Sequence, residues 1–89
     1  MKDTYLEVTY RHWKPLAAYF YLPRESGDTC AQTKRAQAGL FADFAEDGRP
    51  IGIEITAPSQ ISADDFMALL VRLGVPPVEK AELAPLCAA

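Results

Sequence analysis

The chain contains few residues of the kinds that bind metals or cross-link a fold. Its 89 residues include one histidine, His12, and two cysteines, Cys30 and Cys87, which are far apart in the sequence. A zinc site usually needs three or four ligands at characteristic spacings, and no segment has such a pattern. We therefore predict no metal ion and no cofactor, and we expect both cysteines to be reduced and unlinked.

Long apolar runs and an excess of positive charge are missing as well. No run approaches the roughly 18 apolar residues of a membrane-spanning helix, and the N-terminal MKDTYLEVTY lacks the apolar region of a secretory signal. A cytoplasmic protein without membrane contact is therefore the expectation. The formal net charge of −3 argues against general nucleic-acid binding, because basic side chains are needed to neutralise phosphates.

Nothing in the sequence has the spacing of a known catalytic motif. No serine or cysteine lies in a nucleophile-elbow pattern, and GRPIG at 48–52 is too short for a phosphate-binding loop. Asp43 and Glu54 could share one face of a hairpin, where two close carboxylates can act as acid and base. The simpler interpretation, which we favour, is that both lie on the solvated side of a sheet. We therefore predict that the protein is not an enzyme.

The residues that are present describe one small domain. Hydrophobic residues make up 49% of the chain, as in ordinary globular proteins. Alternating apolar residues predict four strands, over Tyr5–Tyr10, Leu16–Leu22, Leu40–Phe44 and Ile51–Thr56. A fifth strand over Thr29–Ala36 has a weaker pattern, with polar residues that suit the edge of a sheet.

The segment Ala45-Glu46-Asp47-Gly48 has the composition of a tight hairpin turn between the last two predicted strands. Gly48 is expected in the left-handed conformation, which costs glycine little, and Asp47 can bond its own backbone. Arg49 is expected to form an ion pair with Glu46 at the rim. Hairpin mechanics alone therefore explain these residue types.

The clearest helix is predicted from Ser62 to Leu73. Ser62 is a good N-cap, and Gly74 is placed to end the helix. Met67 and Val71 widen the apolar stripe beyond what a single small sheet covers. The extra width predicts a second neighbour, either the C-terminal tail or another subunit, and a homodimer is the preferred interpretation.

These patterns together predict an α+β domain, a four- to five-stranded antiparallel meander sheet with one C-terminal amphipathic helix packed on one face. The domain would span residues 1–77, and residues 78–89 would form a tail that is partly packed or flexible. The predicted core consists of Leu6, Val8, Ala18, Phe20, Leu22, Leu40, Phe44, Ile51, Ile53, Ile55, Phe66, Leu69, Leu70 and Leu73.

Two groups of residues are candidates for binding. The candidate interface combines aromatic residues of one sheet face with the extra apolar positions of the helix: Tyr5, Tyr19, Tyr21, Met67 and Val71. The candidate ligand patch combines basic and aromatic residues that could hold a small molecule or a nucleic acid: His12, Trp13, Lys14, Lys34 and Arg35. The first group predicts a protein-interaction module, and the second is the alternative function.

Three segments resemble a widespread family of short bacterial proteins of unknown function. They are the AAYFYL strand at 17–22, the DFAEDGRPIGIEI hairpin at 43–55 and the FMALLVRLGVPP helix at 66–77. The resemblance implies a stand-alone antiparallel sheet with a helix on one face, and some members are suspected partners of small toxin-like proteins. It implies no catalytic or binding residues. The leading hypothesis is therefore a non-enzymatic protein-interaction module, antitoxin-like or regulatory.

Overall fold

The computed structural model describes residues 4–76 together with Val78 and Leu83. Within these residues five strands form one antiparallel sheet, followed by a short 3-10 helix at Pro58–Gln60 and one α-helix. The elements are β1 (Tyr5–Arg11), β2 (Lys14–Tyr21), β3 (Gln32–Gln37), β4 (Leu40–Phe44), β5 (Pro50–Ile55) and α1 (Ala63–Arg72). The architecture is α+β with an antiparallel sheet, as predicted, and the weak fifth strand forms over Gln32–Gln37.

The strand order β1-β2-β5-β4-β3 corrects the predicted meander at one point. β5 lies between β2 and β4, so that Ile53 is opposite Phe20 on one side and Ala42 on the other. The reason is the difference in polarity between β3 and β5. The first four residues of β3 are exposed, whereas all but one of the residues of β5 are buried or half-buried. The apolar strand therefore takes the centre and the polar strand takes the edge.

The core fills the space between α1 and one face of the sheet, which we call the inner face. Ile51, Ile53 and Ile55 are each no more than 1% exposed, as their alternation predicted. The rings of Phe20 and Phe66 join sheet to helix edge to face, with centroids 5.2 Å apart. The buried core cluster comprises Ala18, Phe20, Leu22, Leu40, Ile53, Ile55, Ile61, Phe66, Leu69, Leu70 and Leu83.

Four predicted core residues are less buried than expected. Leu6, Val8 and Leu73 are partly buried and pack against the margin of the cluster. Phe44 is half-buried, with the Lys34 ammonium 5.7 Å from the centre of its ring. The register shifts between Asp43 and Phe44, so that Phe44 pairs with Pro50 beside the turn at the end of the sheet. A residue at the end of a strand has fewer neighbours above it, and burial is therefore incomplete.

Helix α1 begins and ends where its sequence predicts. The Ser62 hydroxyl accepts a hydrogen bond from the Asp65 N–H at 3.0 Å, and Gly74 follows the helix with φ +75°. Met67 packs against the core, but the side chain of Val71 is exposed. No helix in the described part of the chain is long and apolar enough to cross a membrane.

Residues of the predicted tail pack against the core beside α1, as the width of its apolar stripe predicted. Leu83 is fully buried in the core cluster, and Val78 packs against it partly buried. The other tail positions, 79–82 and 84–89, lie outside the described residues. The described tail residues therefore belong to the same core as the helix and the sheet.

Arg49 ties the β4–β5 turn to the loop between β2 and β3. Its guanidinium donates to Asp28 at 2.9 Å and to Asp47 at 2.6 Å, not to Glu46 as predicted. The difference arises because Asp47 folds back over its own turn and accepts the Arg49 N–H at 3.0 Å. The Glu25 N–H and then Arg49 lower the pKa of the Asp28 carboxyl, and Arg49 lowers the pKa of Asp47.

Candidate interaction face

The face of the sheet opposite α1, which we call the outer face, is the candidate site. Strand alternation places its side chains, and the helix lies on the other side of the sheet. In register across the five strands, its central residues are Tyr5, Glu7, Tyr19, Tyr21, Gly52, Glu54, Phe41, Asp43, Thr33 and Arg35. The face therefore carries three tyrosines, a phenylalanine, charged groups of both signs and one glycine.

Three of the predicted interface residues form a connected aromatic row. Tyr5 lies opposite Tyr21 in register, and their ring centroids are 5.7 Å apart. The rings of Tyr19 and Tyr21 meet edge to face at 4.7 Å. The Arg24 guanidinium lies 5.4 Å from the centre of the Tyr21 ring, which is the middle ring of the row. Tyr5 is 53% exposed, and Tyr19 and Tyr21 are half-buried, so the row is partly open to solvent.

A hydrogen-bond network fixes Tyr19, the residue at one end of this row. The Tyr19 hydroxyl donates to Asp43 Oδ2 at 2.8 Å, and the Thr33 hydroxyl donates to Asp43 Oδ1 at 2.6 Å. Asp43 is only 7% exposed, although its sequence context predicted a solvated carboxylate. Because both of its oxygens accept a hydrogen bond, the buried carboxylate is satisfied.

Gly52 makes this network possible. It lies on β5 between Tyr21 and Asp43, and a Cβ atom there would come within 1.8 Å of the Tyr19 hydroxyl oxygen. The Tyr19 side chain therefore crosses β5 directly over the glycine to reach β4. An isolated glycine inside a strand pattern is a recognised sign of such a close approach. The sequence therefore contained a sign of the role of Gly52. It contained no sign of the role of Thr33, which depends on the pairing of β3 with β4.

The predicted pair of carboxylates is not assembled. Asp43 is opposite Gly52 and Glu54 is opposite Phe41, and within the described residues Asp43 bonds only Tyr19 and Thr33. Glu54 is exposed on the outer face beside Tyr19. The arrangement of Asp43 is that of a structural anchor for Tyr19.

The environment of Tyr19 changes its acidity. Burial and then the neighbouring Asp43 raise the pKa of the phenol to about 12, and Arg24 offsets part of this effect. An unfolded chain releases this proton near the ordinary value of 10.0. The folded protein therefore keeps the hydroxyl protonated as a donor over a wide pH range.

We expect the free energy of unfolding to fall as pH rises from about 10 towards 12. In this window the folded state holds the Tyr19 proton that the unfolded state has lost, so alkaline conditions favour unfolding. The contribution is fully present below pH 10. Urea denaturation across this range should show a shallower decline for Tyr19→Phe, which has no such proton. An identical decline in both proteins would contradict the assignment.

The five residues of the predicted ligand patch are not brought together. His12 and Trp13 form the β1–β2 turn and Lys14 begins β2, whereas Lys34 and Arg35 lie on β3 at the opposite edge of the sheet. Four inter-strand spacings separate these edges, about 19 Å in total. Lys34 pairs with Ala42 and Arg35 pairs with Phe41, so the two point to opposite faces. A single patch for phosphate or nucleotide binding therefore does not form.

The helix candidates lie on a different surface from the tyrosines. Met67 is half-buried against the core, and Val71 is 66% exposed. Both belong to α1, which packs on the inner face. The predicted interface thus divides into two surfaces, of which the outer face carries the aromatic area.

A concave region of about 270 Å³ is lined by Pro23, Arg24, Glu25 and Arg49. Its two guanidiniums already have partners within the protein. Arg49 binds Asp28 and Asp47, and Arg24 donates to the carbonyl oxygen of Ile51. The region is therefore a poor site for an anion.

The described residues contain no group of three or more histidine, cysteine or acidic side chains that could hold a metal ion. Cys30 is exposed and unlinked, and Cys87 lies outside the described residues. The resemblance to short bacterial proteins stays a prediction. Comparison with known proteins finds no match to a family model, to a curated protein or to a solved structure.

Proposed function

We propose that this protein is a non-enzymatic interaction module that captures a partner protein on the outer face of its sheet. The observation that carries the proposal is the aromatic row of Tyr5, Tyr21 and Tyr19, which lies on the side of the sheet away from α1. Tyrosine is enriched at protein interfaces because its ring buries a large area while its hydroxyl stays satisfied.

The rigidity of the row also favours binding. Tyr19 is held through Asp43 and packs against Tyr21, so little side-chain freedom remains to be lost on association. Ordering a flexible side chain at an interface costs about 0.5–1.5 kcal/mol, and a row that is already ordered avoids much of that cost. The outer face is therefore better prepared for a partner than the isolated exposed Val71 on α1.

Charge on the outer face indicates the chemistry of the partner. Glu7 and Glu54 lie on either side of Tyr19 in register, and both are exposed. Such an arrangement complements a partner in which basic side chains surround an apolar or aromatic anchor. An antitoxin-like or regulatory role, in which this protein masks a small basic partner, is the form of the proposal that fits this chemistry.

Affinity capture from the native host tests the proposal with two matched variants. Tyr5→Ser/Tyr21→Ser removes two aromatic rings from the outer face but leaves Tyr19 and Asp43 intact, and Val71→Ser removes the exposed apolar side chain of α1. We expect one stoichiometric partner to be retained by the wild type and by Val71→Ser and to be lost from the tyrosine variant. Circular dichroism of both variants checks that the fold is kept.

Retention of the partner by Tyr5→Ser/Tyr21→Ser, or its loss from Val71→Ser, would place the interface elsewhere. Absence of any stoichiometric partner from the wild-type sample, a second copy of the chain included, would also count against the proposal.

A further inference from the structure

The β1–β2 hairpin extends beyond the neighbouring strand and ends in exposed apolar side chains. β5 pairs with β2 only from Ala18 to Tyr21, so the remainder of the hairpin has no third strand beside it among the described residues. Trp13 at the turn is 96% exposed, and Tyr10 and Leu16 are each about half exposed. Large apolar residues grouped in this way are typical of a contact surface.

The turn itself is unfavourable for folding. His12 has φ 52° and Trp13 has φ 68°, so both adopt the left-handed conformation. Two-residue hairpin turns of this kind strongly prefer Asn-Gly, and bulky residues with positive φ are uncommon. Strain of this kind persists where the side chains serve a purpose other than forming the turn. The residues of this turn therefore suit binding better than they suit the hairpin.

The turn is basic, whereas the part of the outer face around Tyr19 carries the acidic Glu7 and Glu54. No acidic residue occurs between Glu7 and Glu25, and Arg11 lies beside the turn. A cavity of about 180 Å³ opens on the outer face next to Tyr19, with Glu7 and Glu54 among its lining residues. It is smaller than the roughly 300–1,000 Å³ that drug-sized ligands occupy, so a single side chain suits it better. Neither Arg11 nor Glu54 forms an ion pair within the described residues.

We propose that a partner of the outer face is a second copy of this chain, which docks its β1–β2 turn there. Trp13 of each copy covers the aromatic row of the other, and Arg11 of each copy approaches Glu54 of the other. The two contacts are reciprocal, so that they close a two-fold dimer instead of starting a filament. This inference rests on the proposed function of the outer face, and it names the basic β1–β2 turn of a second copy as an occupant.

Sedimentation equilibrium over a concentration series up to about 1 mM, the range in which weak complexes form, tests the dimer. The mass of the wild type is expected to rise towards twice that of the monomer. Arg11→Glu and Glu54→Arg should each raise the dissociation constant about tenfold, because each places like charges together. The double variant Arg11→Glu/Glu54→Arg restores the opposite charges and should return to within about twofold of the wild type.

A second variant separates binding from folding. His12→Asn/Trp13→Gly supplies the preferred turn and removes the exposed indole, so its melting temperature should rise while the protein stays monomeric. A wild type that is monomeric at every concentration overturns the inference. The inference is also overturned if the double charge variant does not recover the dissociation constant of the wild type, or if the His12→Asn/Trp13→Gly protein dimerises like the wild type.

The two proposals fail in different ways. If the wild type is monomeric, and the Tyr5→Ser/Tyr21→Ser variant loses the captured partner, only the dimer is contradicted. If the protein dimerises through other residues, and the Tyr5→Ser/Tyr21→Ser variant still binds the captured partner, the outer face is not the binding site.

Discussion

Replacing Ile53 with aspartate is expected to unfold the domain. Ile53 is 0% exposed at the centre of β5, between Phe20 on β2 and Ala42 on β4. A carboxylate placed there would be surrounded by apolar groups, and an unpaired buried charge costs several kcal/mol. The whole domain is expected to be stable by only about 5–15 kcal/mol.

Thermal denaturation followed by circular dichroism measures this effect, and Thr56→Asp is the matched control. Thr56 is exposed immediately after β5, so the same new charge there should change the melting temperature little. A cooperative transition near that of the wild type in Ile53→Asp would show that the inner face has been assigned incorrectly.

Replacing Gly52 with alanine is expected to cost about 2–4 kcal/mol, which is large for the addition of one methyl group. The new Cβ would lie 1.8 Å from the Tyr19 hydroxyl oxygen and 2.3 Å from the ring carbon that bears it. Tyr19 would therefore have to leave Asp43, which is 7% exposed and would lose one of its two donors. A buried acceptor without its donor is more costly than the hydrogen bond itself is worth.

The same substitution in a Tyr19→Ser background provides the control. Without the phenol ring the three atoms nearest to the new methyl group are gone, and alanine is more favourable than glycine inside a strand by about 0.5–1 kcal/mol. Gly52→Ala should therefore be neutral or slightly stabilising there, and urea denaturation of the four proteins gives the coupling between the two sites. Equal costs in both backgrounds would mean that Tyr19 does not cross over Gly52.

Local patterns predicted the elements of this fold well, because each depends on a short stretch of chain. The alternation of Ile51, Ile53 and Ile55 placed them on one buried face, and Ser62 and Gly74 marked the ends of α1. These signals come from backbone geometry and from solvent exclusion, which act on neighbouring residues.

Long-range pairing was harder to predict, and the candidate site depends on it. The insertion of β5 between β2 and β4 brings Tyr19, Gly52 and Asp43 together on the outer face, although Tyr19 and Asp43 are 24 residues apart. A sequential meander would instead have placed β3, which contains no glycine, between the strands of Tyr19 and Asp43. The same strand order separates Trp13 from Lys34 and so removes the predicted ligand patch.

Ion-pair partners were predicted least well. Arg49 was expected beside Glu46, but it binds Asp47 through the turn and Asp28 through a loop that is distant in sequence. Long charged side chains reach several neighbours at similar cost, and exposed pairs differ by less than about 1 kcal/mol. Spacing along the chain therefore does not decide which pair forms.

The outer face as a protein-binding surface is the central claim, and a binding constant tests it most directly. Calorimetry with the captured partner, or sedimentation where that partner is a second copy, should give a dissociation constant raised about tenfold or more by Tyr5→Ser/Tyr21→Ser. Val71→Ser should leave it within about twofold of the wild type. The opposite result, in which the helix variant weakens binding and the tyrosine variant does not, would contradict the claim.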